Sequence, residues 1–228
     1  MENTFKAAMV LVLLSFAVGA YSYALLPQPV ASHWGLSGEA NGYMPKIFGA
    51  FLFPGIMAAL FVIFSIIPII DPLRANIDKF RTAYFGFALA VIAFMFIIYV
   101  QTILWNLGTM ISFNLTIPIL LGGLFFCVGL LLDKVKRNWF IGIRTPWTLS
   151  SDEVWDKTHK FGAMLFKVAG ILMLFTLVLP AYTLWVVLGL VLIAALAAVV
   201  YSYVLYTQVM KKRTWKRGSR KARKAKKV

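Results

Sequence analysis

Six apolar runs, each long enough to cross a lipid bilayer, limit the fold of this chain more than any other feature. They cover residues 5–26, 48–70, 82–104, 112–132, 161–179 and 183–207. One crossing takes roughly 20 mainly apolar residues in an α-helix, and a helix satisfies its own backbone hydrogen bonds in lipid. The runs therefore predict an all-α, polytopic membrane helix bundle with about six transmembrane helices. The first run is too long for a secretory signal, so we expect an uncleaved helix there.

The Lys and Arg residues are distributed unequally among the connecting segments. Residues 71–81 carry three, residues 133–160 carry six and residues 211–227 carry eleven, whereas residues 27–47 carry Lys46 alone. Cytoplasmic segments of membrane proteins are enriched in Lys and Arg. We therefore expect a multi-pass protein of the plasma membrane with both termini in the cytoplasm. Residues 27–47 would then lie outside the cell and residues 133–160 inside it.

The same pattern divides the chain into three units. Residues 1–70 form an N-terminal two-span unit, residues 71–207 a four-span unit, and residues 208–228 a basic cytoplasmic tail. The tail supplies most of the net charge of +15, and it should be disordered from Gly218 onward. A basic run directly after a span usually contacts anionic lipid. We therefore expect the lipid bilayer, and no specific nucleic acid, as its partner.

Ionisable and catalytic groups are scarce in the spans. Lys6, Asp133 and Lys167 all lie near span ends, which disfavours ion-coupled transport. His33 and His159 fall on opposite predicted faces, and no catalytic or phosphate-binding motif occurs. We expect no enzymatic activity, no cofactor and no metal site. A small-molecule or lipid transporter and a structural membrane protein without a ligand remain alternatives.

Small residues at helical spacing predict close helix packing; they are Gly123 with Cys127, and Ala194, Ala198 and Ser202.

The loop at residues 27–47 is rich in turn-forming and aromatic residues. Its prolines and glycines predict an ordered turn structure, with Asn41-Gly42 as the turn. Trp34 and Tyr43 suit the interfacial layer of a membrane. A cation site at His33 and Glu39 is the weaker hypothesis beside hydrogen bonds that hold the loop together. The candidate residues of this outer loop are Pro29, His33, Trp34, Gly38, Glu39, Gly42, Tyr43 and Lys46.

The longest polar stretch, residues 133–160, is here called the signature segment. Ser150 followed by Glu153 predicts a capping box, so a helix should start near Ser151 and run toward the fifth span. Its aromatic residues Trp139, Trp147 and Trp155 would crowd the inner headgroup layer, and an interfacial helix is the favoured interpretation. The alternative is a docking face that presents Arg144 on a Gly-Ile-Arg-Thr-Pro turn. The carboxylate for Arg144 would come from a partner protein, or from Asp152 or Asp156.

The residues of these two loops resemble a known family. The run from Asn138 to Ser150, reading NWFIGIRTPWTLS, followed by EVW at 153–155 and KTHKFG at 157–162, is similar to the signature loop of the SdpI family. The stretch from Pro29 to Lys46 resembles a domain of unknown function that often precedes it. The resemblance covers most of residues 5–207, while the basic tail is not part of the pattern.

The resemblance implies a receptor and immunity role without catalysis. In this family a member protects its producer cell from a secreted killing peptide and holds a small autorepressor at the membrane. The partners implied are a secreted toxin peptide on the outer face and a small cytoplasmic repressor on the inner face. The implied site residues of the signature segment are Asn138, Gly142, Arg144, Thr145, Pro146, Trp147, Thr148, Trp155, Thr158 and His159.

Overall fold

The computed structural model describes residues 2–35 and 38–225, and within them it consists of helices and one small hairpin. The hairpin strands are β1 (Val30–Trp34) and β2 (Ala40–Met44). The long helices are α1 (Glu2–Tyr23), α2 (Lys46–Ile70), α4 (Arg81–Asn106), α5 (Phe113–Leu132), α7 (Asp152–Met173) and α8 (Thr183–Ala225). The short helices are α3 (Arg74–Ile77) and α6 (Pro146–Leu149).

The six long helices are each long and apolar enough to cross a membrane. The predicted all-α, six-helix membrane bundle is therefore confirmed. The fifth helix begins at Asp152, nine residues before the apolar run at residue 161, because the predicted helix of the signature segment continues directly into the span.

The long helices pack as two groups of three. Helix α4 packs against α1 and α2, helix α7 packs against α5 and α8, and a contact between α4 and α5 joins the groups. Met57 and Ile92 are fully buried in the first group, while many apolar side chains face outward, as a lipid environment permits. The division of the sequence into units at residue 70 stays a prediction. In the packing, α4 lies with the two helices of the first unit.

Glycines bring α5 and α7 into close contact. A Cβ added at Gly122 would lie 2.7 Å from the carbonyl oxygen of Gly170, and one added at Gly170 would lie 2.5 Å from that of Gly122. Gly123 is the position expected from its spacing with Cys127, and among the described residues no atom lies within 4 Å of such a Cβ. The packing glycine is thus one residue earlier than predicted. In α8, Ala194, Ala198 and Ser202 are buried, as their spacing predicts.

The tail differs from its prediction. Helix α8 continues to Ala225, so residues 208–225 are helical where a disordered tail was expected from Gly218 onward. Lys, Arg and Ala favour helices, and extending an existing helix avoids the cost of nucleation. Residues 226–228, the rest of the predicted tail, lie outside the described residues.

Candidate functional site

Asn138 organises the start of the signature segment. Its side chain is fully buried, and its Nδ2 donates to the carbonyl oxygens of Lys136 (2.8 Å) and Ile141 (2.9 Å). Its Oδ1 accepts from the backbone N–H groups of Phe140 (2.9 Å) and Ile141 (2.6 Å). These four bonds use both donor hydrogens and both acceptor positions of the Asn138 amide. The turn from residue 136 to residue 141 is therefore fixed by one side chain.

The connection between α2 and α4 holds the same turn from the other side. Asp71, which is 2% exposed, accepts from the N–H of Trp139 with Oδ2 (2.9 Å) and from the N–H of Leu73 with Oδ1 (2.6 Å). Asn76 Nδ2 donates to the carbonyl oxygen of Arg137 (2.8 Å). The signature segment is thus anchored to the first group of helices although it follows α5 in the chain.

Gly142 and His159 fit together at the centre of the segment. Ile143 N–H donates to His159 Nε2 (2.9 Å), and His159 Nδ1 lies 2.8 Å from the carbonyl oxygen of Trp155. An N–H can only donate and a carbonyl can only accept, so His159 is neutral with its proton on Nδ1. Gly142 has φ +114°, and a Cβ there would collide with the His159 ring. Only glycine suits both its backbone conformation and this contact.

Trp155 packs against His159 at the centre of the segment. Its ring is fully buried and stacks on the His159 ring with centroids 4.1 Å apart, and its Nε1 donates to the carbonyl oxygen of Val135 (3.1 Å). The expected position of Trp155 in the headgroup layer is therefore wrong, because the packing of α7 directs this ring into the protein. Trp139 is 51% exposed and Trp147 is half-buried, and their contact with headgroups stays a prediction.

Thr145, Pro146 and Thr148 form the short helix α6. Thr145 Oγ1 accepts from Thr148 N–H (3.2 Å), and Thr148 Oγ1 accepts from Thr145 N–H (2.9 Å), which makes a reciprocal capping box with Pro146 in the first turn. Thr145 Oγ1 also lies 3.1 Å from Ser202 Oγ of α8. Trp147 packs on Tyr203, with ring centroids 5.1 Å apart. Helix α6 therefore ties the segment to α8.

The cap of α7 lies one residue later than predicted. Ser151 is the N-cap, and its side chain accepts from Val154 N–H (3.5 Å). Ser150 has αR backbone angles because it ends α6, so the expected capping box with Glu153 does not form. Val154, Trp155 and Thr158 are fully buried on one face of α7, within the protein and not at its surface. The favoured interfacial-helix interpretation is therefore wrong for this face. Thr158 Oγ1 has no partner within the part of the chain that the structure describes.

Arg144 is an exposed residue of the signature segment. Its Nη1 donates to the carbonyl oxygen of Trp139. Asp152 pairs instead with Arg137 (2.8 Å) and Asp156 with Lys136 (3.1 Å). The two internal carboxylates considered for Arg144 are thus engaged elsewhere. The exposed guanidinium is held at the turn by its bond to Trp139.

The hairpin at the other end of the bundle is held by an equally specific contact. Asn106 Oδ1 accepts from Ala31 N–H (2.8 Å), and its Nδ2 donates to the Ala31 carbonyl (3.0 Å). Lys46 Nζ donates to the Ala24 carbonyl (3.3 Å) and lies 5.2 Å from the centre of the Tyr23 ring. Pro29 directly precedes β1, and Tyr43 is 59% exposed on β2.

The turn of the hairpin is not at Asn41-Gly42. Gly35 N–H donates to the Glu39 carbonyl (2.9 Å), and Gly38 with φ +83° completes the turn there. Gly42 lies within β2 opposite His33, where a Cβ would come within 2.9 Å of the His33 Cβ. Close approach of the strands, and not a turn, requires this glycine.

His33 Nδ1 lies 2.5 Å from Asn41 Oδ1, a hydrogen bond of the kind expected to hold the loop together.

The Trp34 side chain packs against the helices beside the hairpin. Its ring contacts Phe113 and Trp105, with centroid distances of 4.1 Å and 5.5 Å. This indole packs against α4 and α5. Its position in the interfacial layer stays a prediction. Within residues 2–35 and 38–225, no group of three His, Cys, Asp or Glu side chains is arranged to hold a metal ion.

Three residues that hold the signature segment were missed by sequence reasoning. They are Asp71, Asn76 and Ser202, whose partners lie 68, 61 and 57 positions away in the chain. Asp71 carried a signal, since an acidic residue directly after a span is costly unless it has a partner. Ser202 was predicted from its spacing to contribute to close helix packing, and its hydrogen bond was not predicted.

The comparisons with known proteins match both loops. Residues 134–202 match the SdpI/YfhL protein family, and residues 10–58 match a domain of unknown function, DUF1648. Immunity protein SdpI of Bacillus subtilis (strain 168) is 24% identical over 203 residues, which cover 89% of this chain and 95% of that protein. No solved structure matches the chain.

The two family matches coincide with the two anchored loops. All candidate residues from Asn138 to His159 lie inside the first match, and those from Pro29 to Lys46 lie inside the second. The resemblance noted in the sequence is therefore confirmed. The chain is a multi-pass membrane protein that is similar to the SdpI/YfhL family over residues 134–202 and to DUF1648 over residues 10–58.

Proposed function

We propose that this protein confers immunity to, or senses, a secreted membrane-active peptide. The observation that carries the proposal is the similarity to Immunity protein SdpI of Bacillus subtilis, which extends over nearly the full length of both chains. A similarity of this extent includes both the hairpin and the signature segment. The proposed role involves no catalysed reaction, and the similarity to an immunity protein supports it.

We place the hairpin outside the cell and the signature segment in the cytoplasm. The distribution of Lys and Arg supports this orientation in the plasma membrane, with both termini inside. The peptide would be met at the hairpin, and the signature segment would relay its presence or anchor a partner on the other side.

Arg144 is the residue of the signature segment best placed to bind such a partner. Its guanidinium extends from a turn whose neighbours Asn138, Thr145 and Thr148 are all buried and hydrogen-bonded. A planar guanidinium held in a fixed direction suits bidentate binding of a carboxylate. The partner class proposed is a small cytoplasmic repressor with an exposed acidic side chain, held at the membrane while the peptide is present.

A protection assay tests the proposed function. The chain would be expressed in a Bacillus subtilis strain that lacks its own Immunity protein SdpI. The cells would be challenged with conditioned medium from the parent strain, and separately from the organism that encodes this chain. We expect survival at least about ten-fold above the empty-vector control in one of the two media. Equal killing in both media, with the protein correctly inserted, would contradict immunity.

Arg144→Lys tests the site within that assay. The variant keeps the positive charge that sets orientation and loses the planar fork, so we expect normal insertion with reduced protection or signalling. Arg74→Lys is the matched control, because Arg74 is also exposed at the same end of the bundle but lies outside the signature segment. Full activity of both Arg144→Lys and Arg144→Ala would show that the segment is only an anchor.

A further inference from the structure

A cavity of about 620 Å³ lies at one end of the first group of helices. Its lining comes from the start of α1, the end of α2, α3 and the start of α4. The charged lining residues are Glu2, Arg74, Asp78 and Arg81, and the apolar ones include Phe5 and Ile69. Charged and apolar walls therefore meet in one cavity, at the level where three membrane spans begin or end.

The charges of this lining are not balanced. Glu2 pairs with Lys6 of the same helix (2.6 Å). Asp78 pairs with Arg81 (3.2 Å). Within residues 2–35 and 38–225, the exposed Arg74 guanidinium has neither an ion pair nor a hydrogen bond. Both carboxylates are thus engaged, and one positive charge in the cavity is left for an anion.

Arg81 can contribute to binding the same anion. Its Nη1 donates to Asp78 Oδ1 (3.2 Å), and its guanidinium carbon lies 5.8 Å from the centre of the Phe85 ring. These two contacts orient the guanidinium, which carries five N–H donors in all. A planar guanidinium matches the oxygens of a phosphate group. Arg74 and Arg81 therefore offer phosphate donors in one cavity.

An apolar face of α2 continues from the cavity into the span. Ile69, Ile66 and Val62 follow one another at spacings of three and four residues, which places them on one side of the helix. Their exposed fractions are 67%, 43% and 51%. Ile69 also lines the cavity, so this face leads from the charged lining toward the middle of the helix bundle. A hydrocarbon chain can lie along it.

The order of charged and apolar parts identifies the class of ligand. The volume of 620 Å³ lies within the roughly 300–1,000 Å³ of pockets that hold a small ligand, and a phosphate ion alone would leave most of it empty. A soluble phosphate ester would use the charged lining and leave the α2 face bare. A phospholipid has a phosphate at the level of the span ends and hydrocarbon beside the span, which matches both parts.

We propose that this cavity binds the phosphate of an anionic phospholipid, with Arg74 and Arg81 donating to its oxygens. One acyl chain of that lipid lies along Ile69, Ile66 and Val62. An anionic lipid suits the site better than a zwitterionic one because Arg74 leaves a net positive charge. The site is distinct from the general contact of the basic tail with lipid, and it depends neither on the proposed function nor on the orientation of the chain.

Native mass spectrometry of the full chain in detergent tests the proposal by counting bound lipids. The probe is phosphatidylglycerol, and the comparison lipid is phosphatidylethanolamine with the same acyl chains, which has no net charge. We expect one tightly bound phosphatidylglycerol per chain and weaker binding of phosphatidylethanolamine. Arg74→Gln should weaken phosphatidylglycerol binding by about ten-fold, the size of one lost charge-assisted hydrogen bond.

Two matched variants separate a specific site from general attraction. Lys79→Gln removes the same charge from the same connection, and Lys79 does not line the cavity, so phosphatidylglycerol binding should stay within about two-fold of the natural protein. Arg74→Lys keeps a charge that can bind phosphate, so it should retain most of the binding. Equal losses in Arg74→Gln and Lys79→Gln would show only general attraction between basic residues and anionic lipid, which overturns the proposal.

A second probe separates a lipid from a soluble phosphate. Glycerophosphoglycerol is the same headgroup without acyl chains, and we expect it not to displace phosphatidylglycerol at equal concentration. Displacement by this compound would assign the cavity to a soluble phosphate ester and overturn the proposed lipid. Equal binding of phosphatidylethanolamine would contradict the choice of an anionic lipid. No retained phosphatidylglycerol, or unchanged binding in Arg74→Gln, overturns the site itself.

Discussion

At the scale of single residues, the polar side chains of the signature segment bind backbone groups. Asn138 holds a turn, His159 accepts from Ile143, and Thr148 Oγ1 donates to the Ile143 carbonyl (2.8 Å). Buried polar groups that are fully satisfied rigidify a structure and specify one conformation. These bonds hold the backbone on both sides of the exposed Arg144.

Gly142→Ala tests this rigidity. The backbone at φ +114° alone costs a non-glycine residue about 1–3 kcal/mol, and the added Cβ would also displace the His159 ring. We expect a clear loss of thermal stability in detergent. Gly108→Ala is the matched control, because Gly108 has φ +97° and none of the described residues comes within 4 Å of an added Cβ, so it should show the backbone cost only. Equal losses in the two variants would contradict the packing of Gly142 on His159.

The sequence revealed only part of this residue-level structure. Gly142, Thr145 and Thr148 could be singled out because the motif is local and dense. Asp71 and Ser202 could not, since their partners come from helices distant in the chain. Arg144 could be recognised as a candidate, but its freedom from Asp152 and Asp156 depended on the tertiary pairing of Arg137 and Lys136.

At the scale of elements, the apolar runs predicted all six spans because a bilayer fixes helix length. Local signals were less reliable where two elements meet. Ser150 and Ser151 both suit an N-cap, and only the presence of α6 decided between them. Asn41-Gly42 suits a turn, yet the strands needed Gly42 for close approach to His33. Such choices depend on neighbours that composition does not show.

Gly122→Ala tests the crossing of α5 and α7. Its Cβ would lie 2.7 Å from a backbone carbonyl oxygen of Gly170, which cannot move without shifting the helix. Overpacking of this kind costs about 1–3 kcal/mol, so we expect a lower midpoint of thermal unfolding. Gly123→Ala, the adjacent position with open space, should leave the midpoint unchanged or raise it. A lower midpoint for Gly123→Ala alone would show that α5 is rotated from the orientation described.

At the scale of the whole molecule, the two anchored loops lie at opposite ends of one bundle. Asn106, at the end of α4, holds the hairpin, while Asn76, just before α4, holds the signature segment. Helix α4 has 26 residues and is about 39 Å long at 1.5 Å per residue. This length exceeds the roughly 30 Å hydrocarbon layer. The two loops are therefore separated by more than the thickness of the hydrocarbon layer, which is the separation that the proposed detection outside and relay inside would need.

Cysteine labelling measures that arrangement directly. Tyr43 and Trp139 are each more than half exposed, so Tyr43→Cys and Trp139→Cys can be placed one at a time in a Cys127→Ala background, which removes the only natural cysteine. In intact cells, a membrane-impermeant maleimide should label Tyr43→Cys at once and should label Trp139→Cys only after permeabilisation. Labelling of both variants in intact cells, or of Trp139→Cys alone, would contradict a hairpin that meets a peptide outside and a signature segment that acts in the cytoplasm.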